Sequence, residues 1–405
     1  MHMESLPYLI LLFIGYLVYT LDHHKEDLPV PSILVIIGIF LSFIPFFSGV
    51  AITADILYEI FLPALLFTGA YQFSTARLKK YAAGITILGT AGLAATIFLS
   101  GWAIYLIMQP FAAVPLLAAF LIAAILTPTD PVSVMQILSQ DLNDELVTTI
   151  VEGESLLNDG TSVVAFAFLF SWYTGSTPGM MEGTVQFAVV SGGGILVGLT
   201  GGWLFSRAVH VTHERYYQIM LSIVVAYTVF YTAEFVQVSG VLAVVFAGLV
   251  LSSTFSRSAK ERHFREALDG FWKVVEVSLL SILFLMIGIA ASSYLFHEYW
   301  LLAVSIFSAL LVLRTVVVST SLVFLSPIEP ITWKEQLLIS ISGVKGVVSV
   351  YLILKLESLA STDMNILLSI SFTVVFFSLL LQSIAIHPVA IKLKKRKQPG
   401  PYNPS

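Results

Sequence analysis

Two short polar strings interrupt an otherwise oily chain: Thr127-Pro128-Thr129-Asp130-Pro131 and Glu152-Gly153-Glu154-Ser155-Leu156-Leu157-Asn158-Asp159-Gly160. Both lie inside stretches apolar enough to cross a bilayer. Ionisable groups in hydrocarbon are costly, so they persist mainly where they handle an ion or pair with one another. In a helix, Ser155 and Asp159 are four residues apart and share a face, as do Glu154 and Asn158, with the two faces about 100° apart. One face can meet an ion while the other holds the scaffold. In low dielectric a bare charge on Asp159 is disfavoured, so this side chain should hold a proton or a sodium ion at all times. Asn158 offers an uncharged oxygen and an N–H donor beside it. The blander reading makes Asp130 a helix cap and joins Glu154 and Asp159 to the intramembrane cations Lys345 and Arg314 as structural bridges. It suits Glu154 far better than Asp159.

The backbone around Asp130 should also take part. Pro128 and Pro131 have no N–H, so the carbonyls of Ala124 and Thr127, four residues earlier, lose their helical partners. Thr127 and Asp130 are biased toward extended backbone by the prolines that follow them. Freed carbonyls can bind a cation. The run is expected to be two half-helices joined by polar backbone at mid-depth, which is tolerated only where it lines a cavity, with Asp130 capping the second half. A second weak point is Ser342-Gly343-Val344-Lys345-Gly346, where two glycines three apart make a poor helix interior.

These features sit in a chain built for a membrane. It is 57% hydrophobic and 11% charged, with a mean hydropathy of +0.91, against roughly 45–50% apolar and about 25% charged in soluble domains. The absence of cysteine excludes disulfides and thiolate metal sites and leaves the redox compartment open. The net charge of −5 says little about partners, and nothing points to nucleic acid. No cleavable leader is expected, because the first apolar run is long enough to span and no basic residue precedes it.

Apolar runs of spanning length number thirteen: 6–21, 30–48, 53–72, 82–107, 114–138, 146–173, 184–209, 216–235, 239–254, 271–294, 299–325, 334–356 and 364–389. Lys and Arg in short loops gather on the cytoplasmic side, and sixteen of the twenty fall on the side of the C-terminus. Lys355 alone lies on the other side, while Lys273, Arg314 and Lys345 fall within spans. An error of one span would scramble this partition. The expected fold is therefore an all-α polytopic membrane protein of thirteen helices, N-terminus outside and C-terminus in the cytoplasm. The broken fifth and twelfth spans run in opposite directions, which suggests two inverted six-helix repeats with crossed breaks near the midplane. Residues 1–390 would be one transmembrane domain, with repeats at about 1–173 and 216–390 and a linker helix at 184–209, followed by a disordered basic tail at 391–405.

The remaining features read as structural. Gly194, Gly198 and Gly202 recur every four residues, as in close helix packing. Arg257, Lys260, Arg262, His263 and Arg265 form a solvated cytoplasmic loop, with contact to anionic lipid or pH sensing as the sharper alternative. None of the eight histidines lies in mid-span, which argues against a proton relay through imidazole.

Taken together, a Thr-Asp-Pro in a broken fifth helix, Glu154-x-x-x-Asn158-Asp159 in the sixth, intramembrane Arg314 and Gly343-x-Lys345-Gly346 in the later half resemble the NhaP-type sodium/proton antiporters of the monovalent cation:proton antiporter family, relatives of the animal sodium/hydrogen exchangers. The resemblance covers nearly the whole chain. It implies that Asp159 is the shared carrier of sodium and proton, and that Asp130, Thr129, Ser155 and Asn158 line or brace the site. Asp159, Asp130, Ser155 and Thr129 would supply the Na⁺ ligands. It also implies that Glu154 forms a structural ion pair with the basic residue of the Gly-x-basic-Gly segment, Lys345. No cofactor is implied; the other expectations are a homodimer in the cell membrane, a dimerisation domain beside a mobile core, and elevator-like alternating access.

Two departures matter. Many members have Arg at the place of Lys345, and Lys keeps the charge but loses the planar fork. Bacterial relatives often read Leu-Pro-Pro-Leu-Leu-Phe-Glu in the third helix, whereas this chain has Leu62-Pro63-Ala64-Leu65-Leu66-Phe67-Thr68 and lacks that acid. Glu59, nine residues earlier, points to another face. A second class, the cation channel, would need a continuous lined pore, which two crossed breaks around one carboxylate do not favour. A third, the intramembrane aspartyl protease, would use Asp130 and Asp159 as its two acids, but its Gly-x-Gly-Asp segment is absent. The expected activity is exchange of Na⁺, or of Li⁺ or K⁺, for H⁺ without catalytic chemistry.

Overall fold

A chain in hydrocarbon must satisfy each N–H and C=O within its own segment, so long apolar runs fold as helices. The computed structural model of the chain describes residues 5–25, 29–132, 134, 135, 138, 144–176, 179–208, 214–255, 259–295, 299–325, 331–359 and 365–394, and among these residues there is no strand. The principal helices are α1 (Leu6–Lys25), α2 (Val30–Ser42), α3 (Ala54–Gln72), α4 (Ala82–Met108), α5 (Leu116–Ile125), α6 (Glu145–Tyr173) and α7 (Met180–Ala208). They continue with α8 (Arg215–Phe235), α9 (Gly240–Phe255), α10 (Ala259–Leu295), α11 (Trp300–Leu325), α12 (Trp333–Ile341), α13 (Val347–Leu359) and α14 (Asn365–Ala390).

By length and composition, α3, α4, α7, α8, α10, α11 and α14 can each cross a membrane, and α1, α2, α5 and α9 are shorter apolar helices. The fifth and twelfth runs break where their prolines and glycines dictate. After α5 the chain is non-helical until Val132, and between α12 and α13 it is non-helical at residues 343–346. The twelfth span is thus two helices, α12 and α13, and in the fifth the chain is helical again at Val132.

Three boundaries differ from the sequence reading. α2 ends at Ser42 rather than 48, because Pro45 cannot continue it and instead opens a single 3₁₀ turn at Pro45–Phe47. The expected loop at 257–265 is helix from Ala259 onward. Ala, Lys, Glu and Arg are strong helix formers, so α10 extends beyond its apolar part, and Arg265 pairs with Asp269 one turn later at 3.8 Å. Beyond the apolar span of α14 the helix continues past Ala390 to Lys394, into the segment expected to be a disordered tail; 395–405 and Arg257 lie outside the described residues.

Small residues set the closest helix contacts. A Cβ at Gly194 would lie 2.5 Å from the Ser239 carbonyl oxygen, at Gly198 2.3 Å from that of Ala243, and at Gly202 2.9 Å from Val250 Cβ. The glycine stripe therefore presses α7 against α9, as expected for small-residue packing. Gly38 and Gly288 do the same for α2 and α10. A Cβ on either would meet a carbonyl of the other helix at 2.2 Å. α6, which carries the carboxylates, packs among α4, α5, α7, α9 and the α12–α13 break, and Asp159 lies equidistant from its two ends.

Candidate functional site: crossed helix breaks beside Asp159

The two breaks touch. The backbone N–H of Asp130 donates to the carbonyl of Val344 at 2.8 Å, so an extended stretch of one break pairs with that of the other. The glycines make the approach possible: a Cβ on Gly346 would sit 2.2 Å from Asp130 Cβ. Asp130 also caps the resuming helix, its Oδ1 accepting from the Val132 N–H at 3.0 Å. The carbonyl of Thr127, orphaned by Pro131, accepts from Lys345 Nζ at 3.5 Å. The freed carbonyl does bind a cation, and that cation is the protein's own ammonium.

From α6, Ser155 Oγ donates to the Thr129 carbonyl. Asn158 Nδ2 donates to Thr129 Oγ1 at 2.8 Å, and its Oδ1 accepts from the Thr129 N–H at 3.4 Å. Ser155 and Asn158, both 1% exposed, thus brace the fifth-span break through Thr129. Asp159 differs from its neighbours. It is 8% exposed, and among the described residues its carboxylate accepts no hydrogen bond and joins no ion pair. It faces a cavity of about 70 Å³, shared with Thr129, Asp130 and Gly346 and bounded by Leu62, Leu66 and Leu156. A buried carboxylate without a protein partner must find its counter-charge in something mobile.

Of the two cations expected to hold Glu154, Arg314 does so and Lys345 does not. Glu154 Oε2 accepts from Arg314 Nη2 at 2.9 Å, and no ion pair joins it to Lys345 among the described residues. The reason is geometric. Arg314 enters from α11 against Gly343, where a Cβ would lie 2.2 Å from Arg314 Nε, and Nε donates to the Ser340 carbonyl at the end of α12 at 3.2 Å. The guanidinium fork therefore ties α6 to the second break, and the lysine is left to serve the first.

Sequence reading missed the polar groups that α14 brings. Ser378 Oγ accepts from the Lys345 N–H at 2.8 Å and donates to Gln382. Gln382 Nε2 donates in turn to the carbonyls of Ile341, at 3.0 Å, and Gly343, at 3.4 Å. These two side chains flank a π turn, Ser378–Gln382, whose only sequence signal is a polar pair four apart in an apolar run. Also missed was Glu276 of α10, which lines the Asp159 cavity. One turn beyond the cavity lining on α3 and α13, Tyr58 stacks on Tyr351 with ring centroids 4.9 Å apart and donates from its hydroxyl to Glu234 at 2.7 Å. Thr68, which stands where relatives have an acid, is buried and donates to the Ala64 carbonyl at 2.7 Å.

Crossed breaks around a buried, unpaired carboxylate define an ion-coupled membrane transporter rather than an enzyme. The transmembrane sodium/hydrogen exchanger family matches residues 9–392, and the chain belongs to that family. It is similar to the Na⁺/H⁺ antiporter NhaG of Bacillus atrophaeus, 31% identical over 90% of this chain and 70% of the relative. The Na⁺/H⁺ antiporter NhaP of Pseudomonas aeruginosa is 30% identical over 84% of this chain and 81% of its own length. In fold it is similar to the sodium proton antiporter MjNhaP1 of Methanocaldococcus jannaschii, with a TM-score of 0.74 and 20% identity over 97% of this chain and 99% of that one.

Proposed function

We propose that this chain exchanges Na⁺ for H⁺ across the cell membrane, one ion for one proton, by competition for the Asp159 carboxylate. The observation that carries this reading is that Asp159 is buried, lacks a protein counter-charge and faces a cavity at the crossing of two broken helices. Protonated, it is neutral and stable in low dielectric. Deprotonated, it holds Na⁺ with oxygen from Asp130, Thr129 and Ser155, since a hydroxyl that donates one bond keeps lone pairs for a cation. Li⁺ and K⁺ compete to the extent that they fit this cage. Loading from one side and release to the other follow an elevator-like movement of the core that contains the breaks against a scaffold that dimerises. The N-terminus faces out and the C-terminus the cytoplasm, from the distribution of Lys and Arg.

Proteoliposomes with an internal pH dye, pulsed with Na⁺, K⁺ or Li⁺ over a range of pH, test the competition. The Na⁺ concentration for half-maximal flux should rise as pH falls, by up to about tenfold per pH unit where Asp159 is mostly protonated. A half-maximal concentration that does not move between pH 6 and 9 contradicts a shared carboxylate.

A further inference from the structure

The Asp159 cavity has a second ionisable wall that the exchange reaction as described above does not use. Glu276 of α10 lines it together with Asp130, Asp159 and the apolar side chains of Leu62, Leu66 and Leu280. The Glu276 side chain is 13% exposed, and its Oε2 lies 3.3 Å from the ammonium of Lys273 one turn earlier, itself 65% exposed. That pair is local to one turn of α10, and Glu276 lines the cavity as well. Glu152 of α6 and Tyr19 of α1 lie within electrostatic reach of it, and neither brings positive charge. The same space is lined by Asp159, nine-tenths buried and without a hydrogen-bond or ion-pair partner among the described residues. Thr68 is turned to its own backbone and is absent from the lining, so α3 contributes no charge here and α10 does.

We infer that Glu276 is a further ion-handling carboxylate: it receives the partly hydrated monovalent cation entering the cavity and passes it to Asp159. This inference rests on exchange at Asp159. A cavity of about 70 Å³ has room for only a few water molecules, so a cation within it has shed much of its hydration shell. A carboxylate along the path replaces part of what is lost and raises the local cation concentration. The same electrostatics give Lys273 the opposite influence. Its charge draws on Glu276 and repels the incoming ion.

The test is the Na⁺ concentration for half-maximal proton flux in proteoliposomes of the full chain. Glu276→Gln should raise it about 3- to 10-fold, Glu276→Asp should restore part of the change, and Lys273→Met should lower it or leave it where it was. If Glu276 serves only as the partner of Lys273, the Gln and Met variants behave alike. A Glu276→Gln value within twofold of the parent, or a Lys273→Met value raised as much as that of Glu276→Gln, overturns the inference. Should Glu276→Gln fail to fold, Glu276→Asp and Lys273→Met carry the same opposition of sign. Asp159→Asn, measured alongside, separates the two readings. Exchange by that variant removes the site itself, whereas a dead Asp159→Asn with an unmoved Glu276→Gln removes only the role of Glu276.

Discussion

Glu154 and Asp159 are five residues apart on one helix, both carboxylates and both buried, yet they face opposite fates. Glu154 meets a guanidinium that two further elements hold in place, so its charge is permanently matched. Asp159 meets space. Asp159→Asn should therefore abolish exchange and leave folding intact, because an amide cannot release a proton and the competition that couples the two ions disappears. Size-exclusion behaviour and melting temperature establish the fold, and any sodium-driven proton movement by the folded variant contradicts the assignment. Glu154→Ala should instead destabilise the detergent-solubilised protein by about 3–5 kcal/mol, since it strands a buried positive charge. The partner can be identified by double-mutant cycles. Glu154→Ala with Arg314→Ala should recover part of the loss, while Glu154→Ala with Lys345→Ala should be additive. If the lysine couples and the arginine does not, the ion pair is wrongly placed.

At the scale of elements, the site is made by two helices that stop where they cross, and the glycines decide whether they can. Gly346→Ala puts a methyl group 2.2 Å from Asp130 Cβ, with a relaxation cost of about 1–3 kcal/mol or more, and should abolish exchange even where protein is recovered. Gly49→Ala, which meets nothing within 4 Å, should be silent in the same flux assay. A Gly346→Ala protein with parental exchange would show that the crossing is looser than its geometry. Much of this was legible in the sequence because it is local. A proline removes its own N–H and frees a known carbonyl, so the break at Pro128 and Pro131 and the cap at Asp130 follow from a few residues. The Glu154 partner was not legible, because the reach of α11 over Gly343 is a tertiary fact and both Lys345 and Arg314 had the right charge. Ser378 and Gln382 escaped for a related reason: two polar residues in an apolar run give no hint that they satisfy a distant backbone. The helical start of α10 escaped because apolar scanning ends where the polar part of a helix begins.

For the whole molecule, what matters is the charge carried per cycle. Asp130 is engaged through its backbone N–H and its Oδ1 in bracing and capping the fifth-span break, Glu154 is paired to Arg314, and Asn158, next to Asp159, is uncharged and bonded to Thr129. On the reading proposed above, Asp159 is the group that alternates between loads, and the expected stoichiometry is one proton for one monovalent cation with no net charge moved. Moving one net charge is worth about 2.3 kcal/mol per 100 mV, and an electrogenic cycle would respond strongly to an imposed potential. In proteoliposomes clamped with valinomycin, the sodium gradient that nulls proton flux should equal the opposing proton gradient, and a potassium diffusion potential should leave that null point unmoved. Glu276, if it hands the cation on without keeping a proton through the cycle, changes the half-maximal Na⁺ concentration and leaves the null point alone. A null point that shifts with potential requires a second titrating carboxylate loaded in each cycle. Repeating the clamp on Asp130→Asn and Glu276→Gln then identifies it, since the variant that restores insensitivity to potential has lost the extra proton.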